Sequence, residues 1–156
     1  MPQRYIDTTL FDLFKVGPGP SSSHTIGPMK AGHHFAETCA ALPRDLLVRA
    51  VRFRVRLYGS LSATGTGHGT DAAVVAGLLG TAPESCPAGL LQELMDDPHT
   101  RRKRSLGDGQ VSVCVDDVSH DAIIHDFPYS NTLVADLLDA EDKVLHSQEY
   151  YSVGGG

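Results

Sequence analysis

The chain has 156 residues, 41% of them apolar, and a formal net charge of −6. That length suits one domain with its own core, and the acidic balance gives no global electrostatic case for nucleic acid. No apolar run approaches the roughly 20 residues of a membrane-spanning helix, and the opening MPQRYIDTTLFDLF lacks the apolar core and cleavage site of a signal peptide. A cytoplasmic protein without membrane or nucleic-acid partners is expected. Cys39, Cys86 and Cys114 lie far apart and form no CxxC pair. Neither a zinc nor an iron–sulfur site is readable from them, and reduced, buried or partly buried thiols are expected.

In chain order, the first clear element follows Pro28. Gly32, Phe35, Ala36, Cys39 and Ala40 recur at the spacing of one helix face. Pro28 suits a first helical turn, where a missing N–H costs nothing, and Pro43 ends the segment. VRFRVRLY then alternates strictly, Val51, Phe53, Val55 and Leu57 against Arg52, Arg54 and Arg56, which is the period of a half-buried strand. Its arginine face is either solvated or docked on an acidic partner domain. TDAAVVAGLLG predicts a buried helix capped by Gly69 or Thr70, with Asp71 in its first turn and Gly80 closing it. A short helix is expected in PAGLLQELM before Pro98. The basic run RRKR is expected in a solvated loop. VSVCV and AIIHDF predict strands, and TLVADLLDAEDKVLHSQEYYSV a hairpin turning near DAED. The final YYSVGGG suggests a domain cut from something longer.

Two loops carry candidate chemistry. GPGPSSSHTIGPM sets Ser21, Ser22, Ser23, His24 and Thr25 just before a helix start. A helix N-terminus offers unpaired N–H groups and the positive end of the dipole, so carboxylates and phosphates bind there readily. The hydroxyls add donors, and the imidazole can move a proton at neutral pH. GTGHGTD repeats the design with Thr66, Gly67, His68, Gly69 and Thr70 ahead of the next helix. Either loop alone could do no more than cap its helix. Together they suit a small carboxylate or phosphate. The second loop lacks the lysine of a P-loop and is not a dinucleotide fingerprint. Asp71 could orient His68. His33 and His34 are neighbours on a helix, about 100° apart, and do not suit one shared metal. His120, His125 and His146 show no ligand pattern.

The stretches TTLFDLFKVGPGPSSSHTIGPMKAG, LYGSLSATGTGHGTDAAVVAGLLG and YYSVGGG, in order, resemble the N-terminal beta domain of iron–sulfur-dependent L-serine dehydratases. The resemblance spans nearly the whole chain. It implies conversion of L-serine to pyruvate and ammonia, assisted by a [4Fe-4S] cluster held by an alpha domain expected after Gly156. It also implies a single domain over residues 1–156 that is inactive alone, and a homodimeric enzyme. The implied fold is a two-layer α+β sandwich with a mixed or antiparallel sheet and helices on one face, similar to the allosteric substrate-binding domain of D-3-phosphoglycerate dehydrogenase. On this reading Ser21, Ser22, Ser23, Thr25, Thr66, Gly67, Gly69 and Thr70 hold substrate, and His24 and His68 lie nearest the reaction. The chain binds no metal of its own. The alternative is a non-catalytic regulatory domain that binds an anionic effector or only docks its partner. Where the family often has His-Pro-Asn before the late hairpin, this chain has PYSNT, and no site role is assigned there.

Overall fold

A computed structural model describes residues 26–58, 69–87, 89–120 and 131–152. Among these, the chain forms α1 (Ile26–Ala40), α2 (Arg44–Leu47), β1 (Ala50–Tyr58), α3 (Thr70–Leu78) and α4 (Leu90–Asp96), then β2 (Arg102–Leu106), β3 (Gly109–Val113), β4 (Val118–His120), β5 (Asn131–Asp139) and β6 (Val144–Ser152). The strands form one sheet in the order β2-β3-β1-β5-β6, with β4 beside β1. β1 runs parallel to β3 and β4 and antiparallel to β5. The hairpins β2–β3 and β5–β6 are antiparallel. This mixed sheet with helices makes the α+β fold expected from the pattern.

The alternation in β1 decides which face is core. Phe53, Val55 and Leu57 are buried and stand opposite Leu137, Ala135 and Leu133 of β5. Burying each of the large side chains contributes about 1.5–3 kcal/mol relative to leaving it exposed. Phe35 of α1 packs edge-on against Phe53, with ring centroids 5.9 Å apart. It also stacks on His146 of β6 at 5.6 Å. α3 has no polar face, because Ala72 to Leu78 are all buried. It lies against α1 through two glycines. A Cβ on Gly32 would sit 2.5 Å from the Val74 carbonyl oxygen, and one on Gly77 would run into the Met29 carbonyl. The two backbones therefore touch where no side chain fits.

On the opposite sheet face the arginines of β1 already have acidic partners within the chain. Arg54 donates to Asp136 Oδ2 from both Nε and Nη2, at 3.0 and 2.7 Å, and Arg56 Nη2 donates to the same oxygen at 3.0 Å. Asp136 is fully buried. Arg52 bridges Asp117 and Asp142. Neither a bare solvated face nor a face kept for an acidic partner describes this arrangement, because register places Asp136 directly opposite Arg54.

Other expectations shift. Most of RRKR is not a loop, since Arg102, Lys103 and Arg104 lie in β2, paired with β3 around a turn at Gly107, whose φ is +58°. The alternation buries Leu106 and lets Arg104 Nη1 donate to the Leu78 carbonyl at the end of α3, at 2.9 Å. The strand expected at VSVCV begins two residues earlier, at Gly109, and stops at Val113; a 3₁₀ turn over Val115–Asp117 separates it from β4. The expected AIIHDF strand lies outside the described residues. The β5–β6 hairpin turns as expected, between Asp139 and Lys143.

One end of this sheet gathers the boundaries of several elements. Leu57 pairs with His120 at the end of β4, Tyr58 with Thr132, and Asn131 with Ser152. α1 runs away from that end. His34 meets Tyr150 near it, whereas the Ala40 carbonyl lies against Gly107 at the far end.

Candidate active site

Of the residues singled out from the two loops, Gly69 and Thr70 are described. Ser21, Ser22, Ser23, His24, Thr25, Thr66, Gly67 and His68 lie outside the described residues. Of the described residues that border the two loops, Tyr58 ends β1 opposite Thr132, and Gly69 precedes α3, whose first turn reaches the end of β4.

Gly69 is the N-cap of α3, not Thr70. It adopts φ +85°, a left-handed conformation that costs a residue with a Cβ about 1–2 kcal/mol. The nearest atom to an added Cβ would be the Met95 sulfur, 3.9 Å away. Glycine is needed for backbone shape rather than for space. Thr70 is the first helical residue and is fully buried. The first i→i−4 bond of α3 runs from the Ala73 N–H to the Gly69 carbonyl, at 2.8 Å. The N–H groups ahead of it have no acceptor within the helix and, with the dipole, favour an anion.

Asp71 in that first turn has a partner that sequence reasoning missed. His120 Nε2–H donates to Asp71 Oδ2 at 3.0 Å, joining the end of β4 to the start of α3. The two side chains are 21% and 17% exposed. Burial pushes the Asp71 carboxyl up from its ordinary value, and the hydrogen bond and charge of His120 offset part of that rise. The second oxygen, Oδ1, is shielded from solvent and has no hydrogen-bond partner among the described residues. The expected companion, His68, lies outside them. Forty-nine positions separate Asp71 from His120, so no local signal could have joined them. Only the parallel pairing of β4 with β1 does so.

His33 and His34 have structural settings. His34 Nδ1 shares a 2.8 Å hydrogen bond with the hydroxyl of the buried Tyr150, fixing α1 on the sheet. His33 lies 3.7 Å from Glu37 one turn on. A cavity of about 230 Å³ beside them, lined by Lys30, Glu37 and Glu84 among others, contains none of the residues singled out from the loops.

The cluster implied by the resemblance finds no ligand set among the described residues. Cys39 is sealed in the core, where burial raises its thiol well above the ordinary range. Cys114 is buried below Arg101, and Cys86 stands apart after the turn Pro83–Ser85. No three histidine, cysteine or carboxylate side chains among the described residues converge as a metal site would require. No helix among them is long and apolar enough to cross a membrane.

The fold and this end of the sheet define a two-layer α+β domain with a helix N-terminus and a histidine-tethered carboxylate at one pole. The chain belongs to the serine dehydratase beta chain family, whose pattern it matches over residues 9–156. It is 40% identical over 154 residues to L-serine dehydratase 2 of Escherichia coli, and 40% identical over 153 residues to L-serine dehydratase of Streptomyces coelicolor. It is 35% identical over 151 residues to L-serine dehydratase of Helicobacter pylori. Each match covers 95% of this chain and 32% of the relative, so the chain spans about a third of those relatives' length.

Proposed function

We propose that this chain is the substrate-binding beta portion of an L-serine dehydratase, which converts L-serine to pyruvate and ammonia. The observation that carries the reading is the family match over residues 9–156, together with the helix start at Gly69 and Thr70 that follows the second glycine- and hydroxyl-rich stretch. L-serine must lose its α-proton and its hydroxyl to give aminoacrylate, which hydrolyses to pyruvate and ammonia. In this reading the first turn of α3, behind Gly69 and Thr70, and the hydroxyls of Ser21 to Thr25 hold the substrate carboxylate. His24 and His68 lie nearest the reacting carbon, where an imidazole can take or give a proton. The ligands of the iron–sulfur cluster belong to the part of the enzyme that the relatives' additional length represents, and a dimeric enzyme in the cytoplasm is the expected setting. The chain by itself is inactive on this account.

The test uses the full-length enzyme. His68→Ala should lower kcat for pyruvate formation by about 100-fold or more, the usual scale for losing a proton-transfer group, with the cluster's absorption spectrum intact. A change confined to a lag or to activation behaviour would favour the regulatory reading. Normal kinetics in both respects would remove His68 from the site.

A further inference from the structure

We infer that Asp71 is the acceptor for the α-ammonium group of the substrate, with His120 holding the carboxylate in the orientation that presents its second oxygen. This rests on the reading of the site as one for L-serine and adds the group that would select an amino acid over other small carboxylates.

The reasoning starts from satisfied and unsatisfied oxygens. A carboxylate has two acceptor atoms with about four lone-pair directions. Asp71 Oδ2 is engaged by His120, while Oδ1 is shielded from solvent and has no partner among the described residues. Such atoms are uncommon in native proteins, and a missing ion or ligand is one explanation; Asp136 Oδ1 and Arg56 Nε on the sheet face share that state, but of these only Asp71 stands at a helix start. An unpaired buried acceptor on a charged group is costly, and a cation placed against it removes the cost. The location narrows which cation. Asp71 sits in the first turn of α3, whose N–H groups favour an anion. An α-amino acid carries its carboxylate and its ammonium on one carbon, so its two recognition groups must stand within a few ångströms of each other. A helix N-terminus followed by a fixed carboxylate in the same turn meets that requirement. A dicarboxylate or a phosphate ester would instead bring a second negative charge to Asp71.

His120 has a second effect. By occupying Oδ2 and joining β4 to α3, it prevents the carboxylate from turning both oxygens back onto the N–H groups of its own helix, the usual fate of an aspartate in a first turn.

Glycerate, which is serine with a hydroxyl in place of the ammonium, is the discriminating probe. In the full-length enzyme, Asp71→Asn should raise KM for L-serine about 10- to 100-fold, the scale of one hydrogen bond to a charged group. The inhibition constant of glycerate should stay unchanged or fall. A purely structural role would weaken both ligands together, and that parallel loss overturns the assignment, as does an unchanged KM. If D71N does not fold, D71S removes the same charge with a residue common at helix starts and carries the same expectation. Should the wild-type enzyme fail to turn over L-serine, the functional reading falls and takes this assignment with it. If the wild type is active and the two constants move together, only the Asp71 assignment falls.

Discussion

Two aspartates at opposite ends of the same sheet have opposite fates. Asp139 closes the β5–β6 turn, where its Oδ1 accepts the N–H groups of Glu141 and Lys143 at 2.8 and 2.9 Å. Those bonds lower its carboxyl from the ordinary value. Asp71 stands at the start of α3 with a raised carboxyl, one oxygen on His120 and the other without a partner among the described residues. At the turn end every oxygen described serves the fold. At the α3 end a charged group is kept where it disfavours folding. Natural proteins keep such strain chiefly where function needs it, which is the contrast that the proposed site at the α3 end calls for.

Changes in the body between the two ends should have the largest effects on stability. Gly77→Val would push a side chain into the backbone of α1 at Met29 and His33. A loss of about 3 kcal/mol is expected, read as a lower urea midpoint, and an unchanged midpoint would show that the helices are not locked together there. Asp136→Ala leaves Arg54 and Arg56 without their shared partner on a half-buried face. About 2–3 kcal/mol is expected, below the full range for a buried pair because the arginines reach solvent. Gly69→Ala should cost about 1–2 kcal/mol through its left-handed backbone and should also raise KM, since it reshapes the cap of the proposed site.

The aspartates themselves sharpen the contrast with smaller effects on stability. The folded protein holds the Asp71 proton more tightly than the unfolded chain does. The stability tied to that proton is present below the ordinary carboxylate value and is lost as pH rises through the folded value. At neutral pH Asp71→Asn should therefore leave the melting temperature unchanged or raise it. For Asp139 the sign is reversed. Its lowered carboxyl contributes stability above the ordinary value, lost as pH falls through the folded one, so D139N should melt slightly lower at neutral pH and show no such difference in strong acid.

Much of the scaffold was legible because its periodicities are local. The strict alternation of residues 51–57 gave β1, and Gly80, with φ +104°, closes the helix where the sequence placed its end. β2 was missed because four basic residues imitate a solvated loop, and only pairing with β3 reveals their alternation. β4 has three residues, too few for any period to show. The arginine face was read correctly as a sheet face, but Asp136 could not be assigned to it without register. In the candidate site, Gly69 and Thr70 stand at a helix start as their chemistry suggested. The Asp71–His120 tether had no sequence signal, because it joins a helix to a strand 49 positions away.

The most direct test of the functional contrast is the KM for L-serine in the full-length enzyme carrying either D71N or D139N, measured by pyruvate formation at neutral pH. Removing the charge at the α3 end should raise KM about 10- to 100-fold, whereas removing it at the turn end should leave KM at the wild-type value. Equal shifts in the two variants, or none in D71N, would contradict the account.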